Sequence, residues 1–160
     1  MRYLHFIALL FASHFGLAGG EDSTTPPQLL GIWDVVAMQD HGRDVKLEEV
    51  SIRFEFTNSR LILRVSENGH VNDGKPSHVY DLRVHGDGQV RNLDLTSADN
   101  SPGPEAGIKL HGIFRIEGNK LRVCYADELD HAGRASRPDK FESTAEAKTH
   151  LYTLTRVNPR

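Results

Sequence analysis

One cysteine stands in this chain. It lies in the segment GIFRIEGNKLRVCYADELDHAGRASRPDKF, residues 112–141. A lone thiol beside an arginine is the starting material for a nucleophile, because a nearby cation lowers the thiol pKa and the thiolate is the reactive form. Cys124 follows Arg122 by two residues, but the spacing puts no base beside it, so packing as a small apolar residue is the expected role. A single cysteine also permits no internal disulfide, so the core itself must supply the stability. Further on, Arg137-Pro138 offers a rigid turn and a guanidinium fork that matches carboxylate or phosphate. Two roles are open for Arg137: binding an anion at the mouth of the fold, or satisfying loop carbonyls and an acidic neighbour.

The other chemistry-bearing residues are dispersed. Of nine histidines, His5 and His14 fall in an N-terminal apolar run, and His41, His70, His78, His85, His111, His131 and His150 are scattered through the rest. No His-x-x-x-His or His-x-Glu pair puts two ligands on one element, so no metal site and no cofactor are expected. Asp and Asn at 72–73, 87 and 99–100 sit in glycine-rich turns without the spacing of a calcium loop. Asp34 and Asp94 form the one carboxylate pair that strands could bring together, and two inward carboxylates would perturb each other's pKa. The face of Asp34 is not settled by its neighbours. Gly-x-Ser-x-Gly and the P-loop are absent, and no enzyme activity is expected.

The elements that must position these residues are strands. Residues 1–20, MRYLHFIALLFASHFGLAGG, have a positive start, an apolar stretch and small residues after it, and read as a secretory leader. Export to the periplasm or beyond is therefore the expected localisation. Residues 21–28 are a polar, proline-containing lead-in. With 38% hydrophobic and 26% charged residues, the remaining chain (29–158) can build one packed domain. A net charge of −3 with no basic cluster argues against nucleic acid as a partner. No further segment is long and apolar enough to span a membrane.

Short alternating runs follow one another. GIWDVVAM (31–38) places Trp33, Val35 and Ala37 opposite Ile32, Asp34, Val36 and Met38, and HGRD (41–44) is a turn. In SIRFEFTNSRLILRV, Ile52, Phe54 and Phe56 share a face with Leu61, Leu63 and Val65. A turn at Asn58-Ser59 pairs Phe56 with Leu61 and Phe54 with Leu63. Tyr80, Leu82 and Val84 alternate in the next run, then Leu93 and Leu95. A two-residue turn at Gly118-Asn119 pairs Ile116 with Leu121 and Phe114 with Val123. That register puts Cys124 opposite Ile113 on the outer face. We expect the loop carrying Arg137, Pro138 and Phe141 to fold over this small apolar pair. THLYTLTRV (149–157) closes the series, and at most one short helix fits within 139–148. The sum is an all-β, antiparallel, roughly eight-stranded up-and-down barrel.

Two groups of residues carry a resemblance. Gly31-x-Trp33 at the start of the first strand resembles the opening of lipocalins and fatty-acid-binding proteins. In those families the Trp plugs one barrel end under an Arg of the last strand, here Arg156. Leu29, Gly31 and Trp33, then NLDL (92–95), GIFRIEGNKLRVCYA and RPDKF, together resemble a small lipocalin-like domain family expanded in Planctomycetes. Phe114 stands where that family usually has Tyr, Asn119 where it has Asp, and Leu93 where it tends to Ile. The resemblance spans about residues 29–157. It implies a calycin-like barrel with Gly31, Trp33, Gly112, Gly118, Cys124, Arg137, Pro138, Phe141 and Arg156 as structural signature, and it implies no particular activity.

The expected function is non-catalytic binding of a small, partly apolar molecule. Phe54, Phe56, Leu61, Leu63, Tyr80, Leu82, Phe114 and Tyr125 would line the barrel, with Arg137 at a loop. The same stripes would also suffice to fill an eight-stranded barrel. A ligand-free cell-envelope interaction or structural module is the alternative.

Overall fold

The computed structural model describes residues 25–48, 50–67, 76–99, 107–126 and 136–157. The expected leader and the first half of the lead-in lie outside them. Among the described residues there is no helix. The strands are β1 (Gly31–Asp40), β2 (Arg43–Asp44), β3 (Val50–Phe56), β4 (Arg60–Glu67), β5 (His78–His85), β6 (Val90–Ser97), β7 (Lys109–Glu117), β8 (Lys120–Ala126) and β9 (Thr149–Arg156).

Each strand from β3 onward pairs antiparallel with the next, and β1 pairs with both β3 and β9. Eight strands thus close into a barrel, with two-residue β2 as an extra strand on β1. Closure removes the unpaired edges that an open sheet of these strands would present. The registers expected from sequence are found. Phe54 faces Leu63 and Phe56 faces Leu61. Across the β7–β8 hairpin, Phe114 faces Val123, Ile116 faces Leu121 and Ile113 faces Cys124. Gly118 has φ +61° at the first turn position, where a type II′ turn requires a positive φ that only glycine adopts without cost.

One register departs from simple alternation. Between Val35 and Ala37 the β1–β9 ladder slips, so that Val35 faces Leu154 while Met38 faces Tyr152 and Asp40 faces His150. This bulge leaves Val36 exposed and reverses the parity beyond it. Ala37 and Gln39 turn outward, whereas Met38 and Asp40 share the inward side with Tyr152 and His150. Strict alternation had assigned Ala37 to the face of Trp33 and Met38 to the other. The one extra residue swaps them.

No helix forms within 139–148, the one stretch where a short helix would have fitted. Residues 136–148 run as an extended strap over the outer face of β6–β9, with a turn at 145–148. Side chains capture the backbone groups a helix would use: Thr144 N–H donates to Thr149 Oγ1 (2.9 Å), and Ala147 N–H to Thr144 Oγ1 (3.1 Å).

The barrel has two unlike ends. At the closed end, Trp33 is fully buried and its Nε1–H donates to Leu29 O (2.9 Å). The Arg156 guanidinium lies 4.2 Å from the indole ring centre and donates to the carbonyls of Leu30 (2.8 Å) and Gln28. A desolvated cation on an indole contributes up to about 2 kcal/mol. Above it Phe54, Leu61, Leu93, Phe114, Leu121, Val123 and Leu154 form a sealed core. The open end is formed by the C-terminal ends of β1, β4, β6 and β8 and the N-terminal ends of β3, β5, β7 and β9.

Candidate functional site

The inward stripe changes character along its length. Of the eight residues expected to line the barrel, all face inward, but Phe54, Phe56, Leu61, Leu82 and Phe114 are buried against one another. They fill space rather than line it. Leu63 and Tyr125 are only half-buried, and inward-facing Val65 is 38% exposed. Tyr80 is buried, with the His78 ring stacked against it at 6.1 Å. Tyr125 and Tyr152 stack at 5.6 Å with hydroxyls 3.0 Å apart, and Tyr152 also meets Phe54 at 5.2 Å. Burial without a compensating charge lowers the His78 pKa.

At the rim of this layer Asp40 and His150, Cα partners across β1–β9, meet His41 from the β1–β2 turn. Asp40 Oδ1 lies 3.1 Å from His150 Nδ1 and 3.7 Å from His41 Nε2. The two imidazole rings are 4.9 Å apart, and Tyr125 lies 5.1 Å from His150. None of Asp40, His41, His150 or Tyr152 stands out in the sequence. The signal for His150 and Tyr152 was available, since THLYTLTRV puts both on the face of Leu154. Asp40 was hidden by the bulge.

The second cluster lies on the outer face and is saturated. Arg137 reaches from the strap to Asp94 (Nη2 to Oδ1, 2.6 Å) and to the carbonyls of Gly112 (2.6 Å) and Leu93 (3.2 Å). His111 Nδ1 lies 2.6 Å from Asp94 Oδ1 and His85 Nε2 lies 3.0 Å from Oδ2. Because an ionised carboxylate only accepts, His111 donates to it, while His85 stands beside the other oxygen at ion-pair distance. Burial raises the Asp94 pKa, but the Arg137 hydrogen bond, together with His111, outweighs that and holds the carboxyl below its usual range. The guanidinium is thereby committed to the protein's own groups on the outer face. Of the two roles open for Arg137, the structural one is realised. Gly112 is required by the neighbouring strand, since an added Cβ would sit 2.7 Å from Cys124 O and 3.0 Å from Tyr125 Cβ.

Beyond Arg137, Phe141 covers Ile113, Cys124 and Leu151, with the guanidinium groups of Arg115 and Arg122 5.3 and 5.2 Å from its ring centre. Cys124 is fully buried, and its Sγ–H donates to Glu142 O (3.5 Å). Burial pushes the thiol up to about 11, against the lesser effects of the Glu142 backbone and Arg122. This is the shielded cysteine expected from strand parity. Asp34, likewise outward, is paired with Arg53 (2.7 Å), so Asp34 and Asp94 do not converge.

Two open clefts accompany these clusters. One, of about 490 Å³, runs between the strap and the outer faces of β1 and β9 beside Gln39, Phe141, Ser143 and Thr153. The other, of about 620 Å³, lies at the closed end beside Gln28, Gln89, Arg91 and Arg156. No family model, no curated protein and no solved structure matches the chain.

Proposed function

We propose that this is an exported, non-catalytic, lipocalin-like binding domain that takes a small, partly apolar molecule at the open end of its barrel. The observation that carries the reading is the gradient along one inward stripe. The closed half is a sealed hydrocarbon core, while the open half turns half-buried side chains (Leu63, Val65, Tyr125) and polar rings (His78, His150) toward the mouth. Apolar walls with a few converging polar groups are what barrel-mouth binding sites present. The sealed half limits the ligand to a shallow seat, so its polar end meets Tyr125, Tyr152 and His150. The resemblance to the small lipocalin-like domains is consistent with this assignment.

Native mass spectrometry of protein purified without denaturation tests it. A retained adduct of small-amphiphile mass, or uptake of added decanoate at one per chain, supports the proposal. An empty barrel that takes up nothing would overturn it and leave the ligand-free envelope module, which the sealed lower core favours.

A further inference from the structure

We propose that Asp40, His41 and His150 form a site for one divalent transition metal ion of the zinc class at the barrel rim. This goes beyond small-molecule binding and stands whether or not the barrel takes an apolar ligand.

The donor set is two imidazoles and a carboxylate, the combination that binds zinc with three protein ligands and one open position. One ligand atom from each residue lies within 4.8 Å of the other two. Metal–ligand distances of 2.0–2.2 Å put tetrahedral ligand atoms roughly 3.3 Å apart. Two edges of the triangle, 3.1 and 3.7 Å, are already within about half an ångström of that. All three ligand atoms are shielded from solvent, and Asp40 Oδ1 has no hydrogen bond of good geometry despite its two neighbours. At Asp94 a permanent guanidinium charge matches the carboxylate. At Asp40 the charged or polar groups within ion-pair distance are both imidazoles, each with a nitrogen turned toward the carboxylate.

The backbone supplies an independent argument. His41 and Gly42 have φ of +47° and +81°, the pattern of a type I′ turn, which favours Asn-Gly. Histidine is less favoured than asparagine at the first position, and here it brings Nε2 to 3.7 Å from Asp40. The turn is also held in place, by His41 N–H to Thr149 O (3.1 Å) and Gly42 N–H to Ser143 Oγ (2.8 Å). The site is assembled by the β1–β9 pairing, from residues far apart in the chain. The fourth position would remain for water or an oxygen donor of a bound molecule.

The test is calorimetric titration of tag-free, metal-stripped full-length protein with zinc chloride, paired with the visible spectrum of the cobalt(II) form. Wild type should bind one ion per chain and give the intense d–d bands of a four-coordinate cobalt. His150→Ala and Asp40→Asn should each weaken binding at least about tenfold, more than loss of an outer-shell partner usually does. His41→Asn separates a metal role from a turn role. It should fold as well as wild type or better, because asparagine suits the turn, yet lose affinity by a similar factor. His85→Ala, on the outer face, should leave zinc binding unchanged. No stoichiometric binding by wild type, or binding that His41→Asn and His150→Ala both leave intact, would overturn the proposal.

Discussion

The two histidine–aspartate clusters of this barrel are built from the same residue types and come out opposite. Around Asp94, Arg137 joins His85 and His111, the carboxylate is met on both oxygens, and the strap seals the neighbouring apolar patch. Around Asp40 the partners are two imidazoles, and the adjoining aromatic layer is only partly buried. The difference teaches that histidines and carboxylates become structure when a fixed cation and covering backbone complete them. At the rim the same residue types converge on one another without a guanidinium, which is the arrangement the metal proposal rests on. On that view the strap is where stability should be lost on mutation, and the mouth is where binding should be lost.

The largest effect should come from Arg137→Ala, which strands Asp94 and two carbonyls at once. Partial exposure keeps the loss below that of a fully buried pair, and about 2–3 kcal/mol is expected by chemical denaturation. Phe141→Ala should follow at about 1–2 kcal/mol from lost burial and cation–π contact. Its sharper readout is Cys124. In wild type, burial and a pKa of about 11 leave roughly one thiol in a thousand ionised at pH 8, so a bulky maleimide should label native protein very slowly. The Phe141 variant should label fast while still folded. Fast labelling of wild type would break the claim that the strap is a cover.

Acid titration separates the clusters at smaller amplitude. The Asp94 carboxyl is lowered in the folded state, so the unfolded chain binds the proton first. Its contribution is present above the unfolded value of about 3.9 and is lost as pH falls through the folded one. Asp94→Asn should flatten that part of the stability–pH curve. His78 is also lowered, so its neutral form is favoured on folding. Stability should decline as pH falls below about 6.5, and His78→Gln should remove that earlier slope. The smallest stability change, under about 1 kcal/mol, is expected for Tyr125→Phe, since one hydrogen bond made by a half-buried side chain is lost. Decanoate uptake by the same variant should nevertheless drop.

How much of this was legible in the sequence follows from the periods involved. Strand parity placed Phe54, Leu63, Phe114 and Cys124 correctly, because tight turns at Asn58-Ser59 and Gly118-Asn119 fix register locally. The cover over Cys124 was legible for the same reason, since Ile113 and Cys124 form an apolar pair on a charged face that something must bury. The Asp40–His150 meeting was not. It depends on barrel closure between the first and last strands and on a bulge at Val36 that no local residue type announces. The strap's role as a cover was legible, but its extended path through 139–148 was not. Residues 139–148 have helical composition, but the anchors at Arg137, Phe141 and Thr149 hold the backbone out of a helix.

The division between a structural strap and a binding mouth is tested most directly by mapping amide shifts of ¹⁵N-labelled protein during decanoate titration. The account predicts shifts centred on Met38, Leu63, Tyr80, Tyr125, His150 and Tyr152, with Arg137–Phe141 and the Trp33–Arg156 end unmoved. Shifts centred on the strap or on the closed-end cleft, or none at all, would contradict it.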